Sequence, residues 1–334
     1  MAKPVLISGI QPSGKLHLGN YLGALKNFVE LQNSDKYDCY FFIADYHSLT
    51  EDFTPKEKKA QIKDLVASYL AAGLDPEKST IFLQSEVGAT TELMWVLSAI
   101  APFGELRRMT QFKEKANIKD DDSLEVDANV GLFTYPILMA ADIILYNAKF
   151  VPVGYDQIQH LELARTLARK FNKNFGKTFI EPQPLLASTP RLMSLDDPTK
   201  KMSKSHPDGC LFIDDHPAHL EEKIKRAVTD SGSEIKYDLE NKAGISNLLS
   251  IMSTLSGRPI AELETNFGGQ NYGEFKHALS DLVSDYFKNY RENKKNILQN
   301  NELIRQTLTD GANKASAIAI KKIADIKNKL GLII

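Results

Sequence analysis

Cysteine is nearly absent. Cys39 and Cys210 are the only two in 334 residues, far apart and in neither a Cys-x-x-Cys nor a Cys/His spacing, which argues against a disulfide framework and against a zinc or iron–sulfur site. Histidine is scarce as well, at seven residues. Its closest pair, His216 and His219, lacks the glutamate and helical context of a zinc hydrolase, so no structural metal is expected. Long apolar runs are also missing. Val5 to Ile7 is too brief for a signal-peptide core, and nothing approaches the ~18 residues of a membrane span, so a soluble, cytoplasmic protein is expected. There is no excess of charge of one sign either. A formal net charge of −2 argues against a protein that coats nucleic acid, and any RNA contact must use a local basic surface.

What is present is an ordinary globular composition, 43% hydrophobic, in a length that suggests about two domains. Val5-Leu6-Ile7, Tyr40-Phe41-Phe42-Ile43, Ile81-Phe82-Leu83 and Phe150-Val151-Pro152-Val153 are short runs rich in β-branched and aromatic residues, the pattern of buried parallel strands. Helical patterns lie between them, over Tyr21 to Gln32, Pro55 to Ala72, Thr91 to Ile100 and Asp156 to Asn172, several preceded by Asn, Asp or Thr as caps. This alternation predicts an α/β fold, with a doubly wound parallel-sheet (Rossmann-like) domain over residues 1–205. Beyond about Ser205 the strand signals fade. Apolar positions recur with helical period at Leu220, Ile224 and Val228, then at Ile245, Leu248, Leu249 and Met252, which predicts an all-helical second domain over residues 206–334. Glu181-Pro182-Gln183-Pro184 and His206-Pro207-Asp208-Gly209 carry the punctuation of loops.

The first strand runs into Gly9-Ile10-Gln11-Pro12-Ser13-Gly14-Lys15-Leu16-His17-Leu18-Gly19-Asn20. Glycines at such a strand-to-helix turn let the backbone approach phosphates, and a helix N-terminus adds favourable partial charge. Gly9 to Lys15 has the spacing of a P-loop, but Leu16 stands where a P-loop needs Ser or Thr to hold magnesium. The tetrad His17-Leu18-Gly19-Asn20 instead resembles the first signature of class I aminoacyl-tRNA synthetases, with Asn20 in place of the final His. Taken alone, the tetrad reads equally well as a turn with a capping Asn.

Lys201-Met202-Ser203-Lys204-Ser205 reproduces all five positions of the second signature of the same class. Chemistry explains the residue types. When a carboxylate attacks the α-phosphorus of ATP, negative charge moves to pyrophosphate, and lysines on a mobile loop stabilise it, with serines and backbone amides as further donors. Lys113, within Met109-Thr110-Gln111-Phe112-Lys113, also matches the family and resembles a third phosphate-neutralising side chain.

Thr134 to Tyr146 is a mostly apolar helix with one carboxylate, Asp142, near its centre, and a buried charge there needs a partner. Tyr135, Met139 and Asp142 share one helical face by i+4 and i+3 spacing. They present an aromatic ring, a thioether and an acceptor, which suits a large aromatic ring bearing one N–H. An Asp accepting an indole N–H would be left unpaired by phenylalanine, so discrimination needs no editing. The alternative is an Asp142 satisfied internally by an Arg or a backbone donor.

This helix, together with Val151-Pro152-Val153-Gly154-Tyr155-Asp156-Gln157-Ile158-Gln159-His160, resembles bacterial tryptophanyl-tRNA synthetases, and the similarity extends over nearly the whole chain. The resemblance implies L-tryptophan, ATP with Mg2+ and tRNA(Trp) as substrates, and a homodimer. By the same resemblance, Asp142 accepts the indole N–H, Tyr135 and Gln157 hold the polar end of the amino acid, and Met139, Val151, Val153 and Ile7 pack its ring. ATP is implied to lie against Gln11, Pro12, Ser13, Gly19 and Asn20, with Gly154, Tyr155 and Asp156 at the ribose, Leu192 and Met202 at adenine, and Lys201, Ser203, Lys204 and Ser205 at the phosphates. His17, Asn20, Lys113, Lys201 and Lys204 are the implied catalytic set. The helical domain is implied to read the anticodon, with Lys223-Ile224-Lys225-Arg226 and the lysines from Lys314 through Lys321-Lys322 to Lys329 as basic candidates. The chain departs from the family pattern at Tyr155, where Glu is common, at Ile7, where an aromatic is frequent, and in a longer acidic-rich loop over 115–129. A tyrosyl enzyme of the same class and a regulatory paralogue that charges no tRNA are the competing readings.

Overall fold

The computed structural model describes residues 2–116, 129–186 and 192–333. The 115–129 loop singled out from sequence lies mostly outside the described residues.

Five parallel strands form one sheet in the order β3-β2-β1-β4-β5. They are β1 (Val5–Ile10), β2 (Asp38–Ile43), β3 (Ser79–Leu83), β4 (Phe150–Val153) and β5 (Gln183–Leu186). Alternation along the strands explains why both faces are covered. Leu6, Phe41 and Ile43 enter one apolar cluster with Phe28 and Tyr69, while Ile7, Tyr40 and Phe42 enter a second with Leu161, Leu167 and Phe171. Strands buried on both sides need continuous apolar runs, which is what β1 and β2 carry.

Four local readings change. Gln183-Pro184, expected in a loop, opens β5, which pairs only with β4. A proline is tolerated there because an edge strand has one side whose N–H groups need no ladder partner. The expected Tyr21 helix begins as a π-helical segment, Tyr21–Leu25, before the α-helix Lys26–Asn33, and the expected Asp156 helix begins as the 3-10 turn Tyr155–Gln157 before the α-helix Ile158–Phe175. Val228, expected to be a periodic core position, lies beyond the Pro217–Arg226 helix and is 46% exposed.

After residue 206 the described elements are helical apart from short pairings. Pro217–Arg226, Ala243–Ser256, Ile260–Asn266, Tyr272–Tyr286 and Lys288–Gln299 bury Leu220, Ile224, Ile245, Leu248, Leu249, Met252, Phe275 and Leu279 together. The helix Asn301–Lys329 then returns to the sheet. Its Ala312, Ala315, Ala319 and Ile323 join the cluster that contains Phe82 and Leu97. The approach is closest at Gly311, where an added Cβ would stand 1.8 Å from the Ile81 carbonyl oxygen of β3. No helix among the described residues is long and apolar enough to cross a membrane.

Because the obstacle is backbone rather than a movable side chain, Gly311→Ala should force the helix away from β3. Overpacking of this kind costs about 1–3 kcal/mol. Urea unfolding should show a lower midpoint, and an unchanged midpoint would contradict this contact.

Candidate functional site

The chain runs from β1 outward to β2 and β3, then crosses back to place β4 on the other side of β1. The carboxyl ends of β1 and β4 therefore flank the switch point, where open α/β sheets bind ligands. Ser8 Oγ donates to the Pro152 carbonyl at 3.2 Å, tying the two strands there. Out of β1 comes the glycine-bearing loop, turned by Gly14 at φ +97°, a region that favours glycine. Out of β4 come Gly154, an exposed Tyr155, and Asp156, whose carboxylate accepts from the Gln157 amide at 2.9 Å.

The two signature loops meet. Lys204 Nζ donates to Ser13 Oγ and to the Gly14 carbonyl, each at 3.2 Å, across 191 and 190 residues of chain. Burial lowers the Lys204 pKa, and nearby Glu51, Asp64 and Cys210 only partly oppose that shift. The second loop is framed by its neighbours. Met202 N–H donates to the Leu192 carbonyl at 3.1 Å and Ser194 N–H to the Lys200 carbonyl at 2.8 Å, while Asn247 bonds both the N–H and the carbonyl of Met193. Leu192 and Met202 are buried, and Ser203 and Ser205 share a hydroxyl contact of 2.8 Å. Lys201 is exposed at the loop's entry.

His17 and Asn20 form a reciprocal cap. The His17 ring accepts from Asn20 N–H, and the Asn20 side chain accepts from His17 N–H, both at 3.3 Å. The capping reading of Asn20 is thus realised inside the signature itself. His17 is 6% exposed. Burial, then Lys204, then Lys201 lower its pKa to about 4 from 6.5, so its imidazole is neutral at pH 7. Lys58 went unnoticed in sequence. Its ammonium donates to the Pro12 carbonyl at 3.4 Å and the Ser48 carbonyl at 3.3 Å, bracing the loop after β1.

Asp142 is 2% exposed and is satisfied internally, by partners other than the Arg or backbone donor considered from sequence. His47 Nε2 lies 2.8 Å from Oδ2, and the Gln84 amide donates to Oδ1 at 2.8 Å and to Oδ2 at 2.9 Å. Burial raises its pKa, against the hydrogen bonds from His47 and Gln84. A carboxylate offers about four acceptor sites, so Oδ1 keeps capacity for one more donor. Gln84 follows directly on β3 and His47 lies four residues past β2, near the strand ends where site residues collect. That rule, joined to the demand of a buried carboxylate for donors, was the available signal for them.

Tyr135 Oη lies 2.8 Å from His160 Nε2 and 3.1 Å from Gln111 Oε1, and burial, with Glu114 adding to it, pushes its pKa up to about 12. The contact with Gln111 brings the Thr110–Lys115 helix, which carries Lys113, against the Val130–Ile144 helix. Ile7, Val151 and Val153 are buried in one cluster, with the half-buried Met139 packed on it. Among the basic candidates, Lys223 is committed to Asp215 and the Cys210 carbonyl, and Lys322 and Lys329 to residues 177–178. Lys225, Arg226, Lys314 and Lys321 are exposed.

A glycine-bearing loop at the switch point of a parallel sheet, gripped by a Lys-Met-Ser-Lys-Ser loop and followed by a helical bundle, defines a class I aminoacyl-tRNA synthetase. The chain belongs to the tRNA synthetases class I (W and Y), whose family model matches residues 2–288. It is 48% identical over 332 residues to the tryptophan–tRNA ligase of Caldanaerobacter subterraneus subsp. tengcongensis, covering 98% of each chain. A solved tryptophanyl-tRNA synthetase from Mycoplasma pneumoniae is similar at TM-score 0.88 and 37% identity, over 99% of this chain and 98% of that one. The enzyme from Campylobacter jejuni, solved with ADP and tryptophan, is similar at TM-score 0.83 and 37% identity, over 98% and 99%.

The lowered His17 pKa carries a sign. Its folded value of about 4 lies below 6.5, so the stability it contributes is complete above pH 6.5 and is lost as pH falls toward 4. Histidine NMR titration should find one imidazole with a midpoint near 4. In Lys204→Ala that midpoint should rise yet stay below 6.5, because burial is the larger cause. A His17 midpoint near 6.5 in the parent protein would overturn this account.

Proposed function

We infer that the chain is a tryptophan–tRNA ligase, which activates L-tryptophan with ATP to tryptophanyl-adenylate and then passes the aminoacyl group to the 3′ end of tRNA(Trp). The observation that carries this reading is the grip of Lys204 on the Ser13–Gly14 turn at the switch point of the sheet.

ATP, bringing Mg2+ as part of the substrate, lies along Gln11, Pro12, Ser13, Gly19 and Asn20, with its ribose at Gly154 to Asp156 and adenine against the backbone of Leu192 and Met202. Lys204, Lys201 and Lys113 neutralise the departing pyrophosphate, with Ser203 and Ser205 as further donors. A neutral His17 can donate or accept a hydrogen bond without adding positive charge. No enzyme nucleophile is needed, so catalysis is positioning plus charge stabilisation. The remaining acceptor site of Asp142 Oδ1 takes the indole N–H, while Ile7, Met139, Val151 and Val153 enclose the ring and Tyr135 and Gln157 face the polar end.

The helical bundle reads the anticodon, and the exposed Lys225, Arg226, Lys314 and Lys321 are the phosphate contacts. The chain works in the cytoplasm as a homodimer. Large apolar side chains exposed at Trp95 (78%), Phe103 (68%) and Val130 (77%) support the dimer, since they stand at the Ala89–Ser98, Phe103–Arg107 and Val130–Ile144 helices, the first two of which pack on the third.

Lys204→Ala should lower tryptophan-dependent ATP–pyrophosphate exchange by about 10²–10³, in kcat more than in KM. Parent-level exchange in that variant would sink the reading. In the parent, exchange supported by tryptophan should exceed that supported by tyrosine by on the order of 10³ or more, a margin that Asp142→Ala should erase. Charging of tRNA(Trp) by the purified protein separates this function from a paralogue that only binds amino acid or nucleotide.

A further inference from the structure

Lys294, in the Lys288–Gln299 helix of the bundle, is 3% exposed. Its ammonium donates hydrogen bonds to Asp64 Oδ2 and Asp214 Oδ2, two of the three an ammonium can make. Nζ lies 2.8 Å from Asp64 Oδ1 and 2.9 Å from Asp64 Oδ2, on the Pro55–Ala71 helix, and 2.8 Å from Asp214 Oδ2. Asp214 and Asp215 are then met by Lys15 of the loop after β1 at 3.5 and 3.7 Å, and Asp215 by Lys223 at 2.9 Å. Three cations and three carboxylates thus meet where the bundle, the sheet domain and the loop after β1 come together.

The segment that Asp214 terminates holds both signatures. Leu18 N–H donates to the Leu211 carbonyl at 2.7 Å and Ile213 N–H to the Leu16 carbonyl at 3.1 Å, which pairs His17 with Phe212. Four residues before Asp214, the Cys210 thiol donates to the Ser203 carbonyl at 2.9 Å, and Lys223 holds the Cys210 carbonyl at the same distance. A shift of Asp214 is therefore a shift of the backbone that carries His17 and borders Lys204. Buried ion pairs are poor sources of net stability compared with apolar residues of similar volume, and their best-attested use is to set register.

We propose that Lys294 is a positioning residue for adenylate formation. Its bonds to Asp64 and Asp214 fix the 210–215 segment in the register that places His17 and the Lys204 loop on the nucleotide, and so couple the bundle to the reacting end of the site. The inference rests on the ligase reading above. Lys294 touches neither substrate nor reacting atoms, and acts through residues 211–213.

The test is Asp64→Asn/Lys294→Met in the full-length protein, which removes one charge of each sign and leaves Asp214 paired with Lys15. Exchange is measured well below the variant's Tm, together with the His17 NMR midpoint. We expect kcat to fall at least tenfold with the KM for tryptophan within twofold, and the His17 midpoint to move from about 4 toward 6.5. Should the double variant not fold, Asp64→Asn alone decides, with the same pattern at a smaller, threefold or greater, loss of kcat. A kcat within twofold of the parent and an unmoved His17 midpoint overturn the proposal whatever happens to Tm, because a purely structural role would alter Tm alone. Absence of exchange in the parent would instead count against the ligase reading.

Discussion

A lysine ammonium can leave bulk water only if oxygen atoms replace the water it loses. Lys204 meets that demand with Ser13 Oγ and the Gly14 carbonyl, and this one arrangement organises the nucleotide end of the molecule. It draws the loop after the Rossmann-like domain onto the loop after β1 and adds, after burial, to the lowering of the His17 pKa. In the resting site the lysine bonds neutral oxygens, a weaker match than a phosphate anion. On the proposed reading, electrostatic attraction to the triphosphate would draw the side chain away without breaking an ion pair.

Asp142 poses the opposite problem. A carboxylate inside an apolar helix is unfavourable unless donors reach it, and His47 and Gln84 supply them from near the ends of β2 and β3. The same bonds fix the orientation of the carboxylate, so its unused acceptor site points in one direction. On the proposed reading, an aromatic substrate without an N–H would leave that site unsatisfied, and a rigid acceptor would discriminate more sharply than a hydrophobic wall can.

The α/β alternation and four of the five strands were legible because buried parallel strands need unbroken apolar runs, and β1 to β4 have them. The fifth strand was not, because Pro184 reads as a loop residue and only its edge position makes it acceptable. Both lysine loops could be read as motifs, but their convergence could not, since nothing local encodes a contact spanning 191 residues. Asn20 shows two readings holding at once, as a signature position and as a cap. His47, Gln84 and Lys58 escaped notice because each acts through a partner distant in sequence. Val228 misled for a simpler reason: the helix ends two residues before it, so its periodicity has no helix to belong to.

The helix Asn301–Lys329 lies along β3, an outer strand of the sheet, with Gly311 pressed against Ile81. During synthesis the outer strand is made some two hundred residues before its cover, so until that cover emerges the nascent sheet displays a bare margin of the kind that recruits other chains. The sheet is thus covered only once that helix has left the ribosome.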